Sequence, residues 1–168
     1  MSTKPLYALI LFLTPIFVFA QSNLAYSALL IPEELKENAH EVVRTETTEF
    51  TILSEKSGEL YVHTALTILD NKSSANHVTI YYDADSKIDK IEANIYDGAG
   101  KLVRKVKKNE IRDYAAVDGF SIYQDDRVKY IELSYHTLPF TIEYEYRKKV
   151  EGGYFFDYPD WRIQQYNN

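Results

Sequence analysis

Tyr123–Tyr146, YQDDRVKYIELSYHTLPFTIEYEY, holds the densest alternation of aromatic and aliphatic residues in the chain. It reads as two strands, Val128–Tyr135 and Phe140–Lys148, joined by the short turn His136–Pro139. On the second strand, Phe140, Ile142, Tyr144 and Tyr146 fall on one face; Thr141, Glu143, Glu145 and Arg147 fall on the other. On the first, Ile131, Leu133 and Tyr135 share a face. A segment with one apolar and one polar side at period two belongs in a half-buried sheet. We therefore expect a hairpin at the centre of a β core.

Working outward, strand-like runs recur with turn signals between them. Glu41–Ser54 is rich in Val, Thr, Ile and Phe, and a turn follows at Lys56–Gly58. Glu59–Leu69 puts Leu60, Val62, Leu66 and Ile68 on one face and Tyr61, His63 and Thr67 on the other. After Asp70–Ser74 comes His77–Tyr82. Ile91, Ala93 and Ile95 mark a fourth strand, which Asp97–Gly100 ends as a hairpin turn. Lys101–Val106 returns as a fifth, with Leu102 and Val106 facing one way. Lys107–Ala116 reads as polar and irregular, with room for one helical turn. Pro32–Asn38 reads as a short helix: Pro32 suits a first helical position, and Glu33 and Glu34 suit the positive end of its dipole. The expected fold is an all-β antiparallel sandwich with one short N-terminal helix.

Composition narrows the function. The 168 residues suffice for one ordinary domain. There is no cysteine, which excludes disulfides, thiolate metal sites, a cysteine nucleophile and a lipoprotein anchor within this chain. The net charge of -6 lacks the basic stripe of a generic nucleic-acid binder.

Leu6–Phe19 is an apolar run behind Lys4, and Val18 and Ala20 fit the positions before a cut after Ala20. At 14 residues the run falls short of the roughly 20 that span a bilayer as a helix. Pro15 within it further disfavours a stable span. The reading is a secretory signal peptide over 1–20, with an uncleaved membrane anchor as the alternative. Residues 21–31 then form a leader, 32–161 the sandwich, and 162–168 the truncated start of a linker to a following domain.

No motif states a chemistry. His40, His63, His77 and His136 show no metal-ligand spacing. Asp83, Asp85 and Asp89 have oxygen ligands but fail the calcium-loop pattern, and turns favour Asp in any case. Asp125 and Asp126 are adjacent, so on a strand their carboxylates diverge; a cap with an Asp–Arg127 bridge is the simpler reading. Asn71–Ser73 fits a glycosylation sequon, a match short enough to arise by chance. No glycine-rich nucleotide loop or GxSxG elbow occurs. We expect no catalytic residue, metal or cofactor.

Two aromatic groups remain. Tyr81, Tyr82, Tyr123, Tyr130, Tyr135, Tyr144 and Tyr146 are either core and cross-strand fillers or a stacking platform for a ligand. The tail residues Tyr154, Phe155, Phe156, Tyr158 and Trp161 form an apolar group without strand alternation, and so a possible interface.

Several stretches follow one another in a familiar order. They are Ala39–Arg44 (AHEVVR), Leu66–Asn71 (LTILDN), Tyr82-Asp83 with Ile88 and Ile91, Ile95–Lys101 (IYDGAGK) and Lys107–Asp113. Tyr123–Arg127 (YQDDR), Leu138–Tyr146 (LPFTIEYEY) and Pro159–Trp161 complete the series. Together they resemble the bacterial domain of unknown function three-eight-five-seven across Pro32–Trp161. The resemblance implies an N-terminal β-sandwich module of secreted Gram-negative proteins. It commonly precedes a transglutaminase-like core of cysteine-protease fold, and often a further β domain. That core uses a Cys-His-Asp triad; with no cysteine here, no such site is carried over. The implied role is a non-catalytic module, exported to the periplasm or outer membrane. It would pack against, or present substrate to, a transglutaminase-like partner in cis or in trans. The chain would be a fragment or a stand-alone copy of the module. The rival readings are a stand-alone glycan- or peptide-binding module and, third, an independent hydrolase using Asp125, Asp126 or the histidines.

Overall fold

The computed structural model describes residues 24–116 and 125–152. The signal-like run, Tyr123 and the aromatic tail from Tyr154 to Trp161 lie outside these. Among the described residues eight strands occur in order: β1 Glu41–Ser54, β2 Ser57–Ile68, β3 His77–Tyr82, β4 Ser86–Asp97, β5 Leu102–Lys105, β6 Arg112–Ala115, β7 Arg127–Glu132 and β8 Phe140–Glu151. They form two antiparallel sheets, a five-stranded one in the order β1-β2-β8-β4-β5 and a three-stranded one in the order β3-β7-β6. The expected antiparallel sandwich is the fold.

The sheets meet on their apolar faces. Leu66 and Ile68 of β2, Ala93 and Ile95 of β4, and Phe140 and Ile142 of β8 face Val78 and Ile80 of β3 and Ile131 of β7, with Leu133 beside them. Tyr135, Tyr144 and Tyr146 pack against this core. Burying such aliphatic side chains contributes roughly 1.5–3 kcal/mol each before the entropy of ordering them is subtracted. Gly58 serves the extension of the β1–β2 hairpin. The Phe50 ring lies where its Cβ would be, with Cζ 2.5 Å away, so no larger residue fits without displacing the ring.

The deciding stretch does not form a hairpin. β7 belongs to the small sheet and β8 to the large one. Leu133–Pro139, with a cis Leu138–Pro139 peptide, carries the chain from one layer to the other. Packed sheets lie about 10 Å apart, a gap these seven residues readily cross. Alternation specifies the inward face of each strand, and both faces do point inward; it does not specify which neighbour supplies the hydrogen bonds.

Other elements depart from expectation locally. Pro32 is the N-cap of α1, which is only Glu33–Lys36. β4 begins at Ser86, well before Ile91, and carries a register shift between Ile88 and Lys90. β5 is irregular against β4, so Val103 and Val106 pack on the core while Leu102 is exposed. The segment read as irregular holds a 3-10 turn at Lys108–Glu110 and the four-residue strand β6. The residues read as a patternless leader contain two 3-10 turns, Leu24–Tyr26 and Ala28–Leu30. Among the described residues, no helix is long and apolar enough to cross a membrane.

Candidate functional site

Each sheet has an outer face, and the two are built differently. On the large sheet the outward side chains of β2, β8 and β4 meet the 3-10 segment Leu24–Leu30, which lies across them as a strap. Arg44 Nη2 donates to the Ala25 carbonyl at 2.6 Å, and Nη1 donates to the Ser27 carbonyl and Thr67 Oγ1, each at 3.2 Å. Thr141 Oγ1 donates to the Tyr26 carbonyl at 3.1 Å, and the Ala28 amide donates to the Gly98 carbonyl at 3.0 Å. The Tyr26 ring sits edge-on to Tyr96, with centroids 4.9 Å apart.

Glu143 is the hub beneath the strap. Its Oε1 accepts from Tyr26 Oη at 2.7 Å and contacts His63 Nε2 at 3.2 Å. Its Oε2 accepts from Tyr96 Oη at 2.7 Å and Asn94 Nδ2 at 3.1 Å. Burial alone would push this carboxyl up; the bonds from Tyr96, Tyr26, Asn94 and His63 outweigh it and hold the group below its ordinary value. Burial and then the Glu143 carboxylate push both phenols up, so Tyr26 and Tyr96 remain donors. One pair of residues along β8, Glu145 accepts from Lys90 at 2.7 Å and Tyr61 at 2.9 Å. Arg147 lies over the Tyr61 ring and pairs with Glu59 at 2.6 Å. With every carboxylate oxygen of Glu143 engaged, this face reads as a clasp.

The outer face of the small sheet is open. Val78 and Ile80 point into the core, so Thr79 and Tyr81 point out. Antiparallel pairing then aligns two rungs: Tyr81, Val128 and Tyr114 in one, and Thr79, Tyr130 and Arg112 in the next. Tyr81 is 65% exposed and Tyr114 47%. Except for Arg112, these residues floor a cleft of about 870 Å³. Past the Tyr82–Arg127–Ala115 rung the cleft is walled by the β3–β4 turn (Asp83, Asp85 and Ser86), by Lys148, Val150, Glu151 and Gly152 at the end of β8, and by Ala115, Ala116 and Asp126. The volume lies within the range of small-molecule and peptide sites, roughly 300–1,000 Å³.

Further contacts tie together the strands that carry the floor. Tyr82 Oη donates to Asp113 and accepts from Arg127 Nε at 2.9 Å, while Arg127 and Lys129 both pair with Asp113. Lys129 chiefly, helped by Tyr82 and Arg127, pulls the Asp113 carboxyl down to about 2 against a smaller burial effect. Tyr130 stacks on His77 at 5.5 Å. Lys148 Nζ donates to the Tyr81 carbonyl at 3.4 Å. Asp83 Oδ1 accepts from Ser86 Oγ and the Asp85 amide and so belongs to its turn.

The structure therefore divides the candidate tyrosines. Tyr135, Tyr144 and Tyr146 serve the core, whereas Tyr81, Tyr82 and Tyr130 line the cleft. Tyr114 joins them unannounced, because β6 was too short to show alternation. The histidines stay apart: His40 pairs with Asp70, His63 with Glu143, His77 stacks on Tyr130, and His136 lies against Tyr135. Asp89 pairs with Lys149 and Lys87. Arg127 bridges to Asp113, not to Asp125 or Asp126 as expected, because the pairing of β6 with β7 brings Asp113 beside it. No group of three or more His, Asp or Glu among the described residues is set to hold a metal.

Comparison with known proteins bears on the fold and the family. The model of DUF3857, a domain of unknown function with a solved structure, matches residues 54–167. The fold resembles the crystal structure of a candidate protease from Parabacteroides distasonis, with a TM-score of 0.59 at 20% identity. The likeness covers 68% of this chain and 24% of that one, so the chain spans about a quarter of that protein's length. No curated protein matches the sequence.

Proposed function

The chain belongs to the DUF3857 family, and from that premise we propose that it is a non-catalytic β-sandwich module of an exported protein. It acts as an accessory to a transglutaminase-like domain, through packing or presentation of substrate. The observation that carries this reading is the tyrosine-floored cleft, whose rim includes Gly152, just past the end of β8. A recognition surface at that point lies close to whatever the following chain supplies. The solved structure supports it as well, since the shared fold there is one part of a larger protein. A chain without cysteine must receive a cysteine nucleophile from elsewhere. The cleft offers stacking surfaces and hydrogen-bond acceptors, and no histidine is among its described lining residues. Determining the genomic sequence beyond codon 168 tests the partner. An in-frame or neighbouring Cys…His…Asp core is the expected result; a genuine stop with no such gene nearby overturns the accessory role.

The cleft volume favours a second reading, a stand-alone module that binds peptide or glycan in the periplasm. Titration of the protein with soluble cell-wall fragments, followed by aromatic fluorescence, separates the two. Saturable binding without any partner gene supports the second.

A further inference from the structure

We infer that the cleft on the outer face of β3, β7 and β6 takes an extended peptide bearing primary amines, such as lysine side chains. This deepens the substrate-presentation reading above, and its test is independent of the partner gene.

The floor presents Tyr81, Tyr114 and Tyr130 around Val128, two of the three rings being open to solvent. Tyrosine faces attract cations and pack well against alkyl stems. At the rim stand Asp85, Asp126 and Glu151. Their carboxylates have no hydrogen bond or ion pair among the described residues, although their backbone groups do: Ala116 donates to the Asp126 carbonyl and Glu151 to the Asp85 carbonyl. Lys148 is the one basic residue of the described lining, and its ammonium is directed to the Tyr81 carbonyl. The cleft thus carries an excess of negative charge over an aromatic floor. An amine on a flexible alkyl stem satisfies both parts, with the stem on the rings and the charge at the rim. A sugar would use the rings and leave the carboxylates without a counter-charge; an acidic peptide would be repelled.

The test titrates the full chain with the peptide Lys-Ala-Lys-Ala-Lys, its Glu-containing counterpart and its side-chain-acetylated form, by calorimetry. Saturable binding of the lysine peptide alone is expected, weakening as salt is raised. Tyr81→Ala and Tyr114→Ala should each weaken it about tenfold. Asp126→Asn and Glu151→Gln should each weaken it about threefold, while Glu46→Gln on the distant β1 leaves it unchanged. Far-ultraviolet circular dichroism confirms that each variant is folded. Equal binding of the acetylated or acidic peptide overturns the inference, as does binding indifferent to Tyr81 and Tyr114. Absence of saturable binding overturns it too.

Discussion

The two outer faces of this sandwich are opposites. That of the large sheet is closed where the strap crosses it, and the hub carboxylate of Glu143 accepts from or contacts four side chains there. That of the small sheet leaves two tyrosines well exposed and three rim carboxylates without partners among the described residues. Polar groups on the first are satisfied within the fold, so altering them changes stability. On the second, Tyr81 is largely exposed and the carboxylates of Asp85, Asp126 and Glu151 have no partner among the described residues, so altering these should change recognition. The contrast separates residues that hold the module together from those available to something else.

The sharpest way to break the contrast is to remove the strap's anchor. Tyr26→Ala deletes a buried ring and one donor to Glu143, and should lower unfolding stability by about 3 kcal/mol in urea titration. Glu143→Ala leaves two phenols, an amide and an imidazole without their acceptor, and should cost about 2–3 kcal/mol by the same measurement. Acid should show a smaller effect. The Glu143 carboxyl lies below its ordinary 4.5 in the folded protein, so the unfolded chain takes up its proton first as pH falls. Its stabilisation is complete above the unfolded value and disappears as pH drops through the folded one. Glu143→Gln should be less stable at neutral pH and should show a flatter decline below pH 4.5. An unchanged acid profile would mean the hub does not govern acid sensitivity. The smallest effects belong to the other face: Tyr81→Ala and Tyr114→Ala should shift stability by no more than about 0.5 kcal/mol. If either destabilised the protein as much as Tyr26→Ala, the small sheet's outer face would be structural, and the division drawn here would fail.

Strands were easier to read from sequence than their arrangement. Glu41–Ser54 and His77–Tyr82 match β1 and β3 end to end, because β-branched runs bounded by turn residues leave few alternatives. The same logic sorted Phe140, Ile142, Tyr144 and Tyr146 correctly from Thr141, Glu143, Glu145 and Arg147. It failed on whether β7 pairs with β8, since an inward-facing strand has the same pattern in either layer. β6 escaped because four exposed residues carry no burial signal. The clasp was half visible: Glu143 was assigned to a polar face, but its donors Tyr96 and Tyr26 lie 47 and 117 residues away. The cleft was visible only as a choice between core and platform, which the sheet layers then resolved ring by ring.

The position of β8 also bears on how the chain reaches its fold. Among the described residues it is the last strand in sequence, and it is the middle strand of the five-stranded sheet, bonded to β2 on one side and β4 on the other. Until residues 140–151 are available, the β1–β2 and β4–β5 hairpins have nothing to join them, and each keeps an unpaired edge. Such long-range closure makes folding slow relative to helical domains of similar size. Folding is therefore deferred until nearly the whole sandwich has been synthesised, and a chain ending before Phe140 retains two open-edged hairpins prone to pair with other chains.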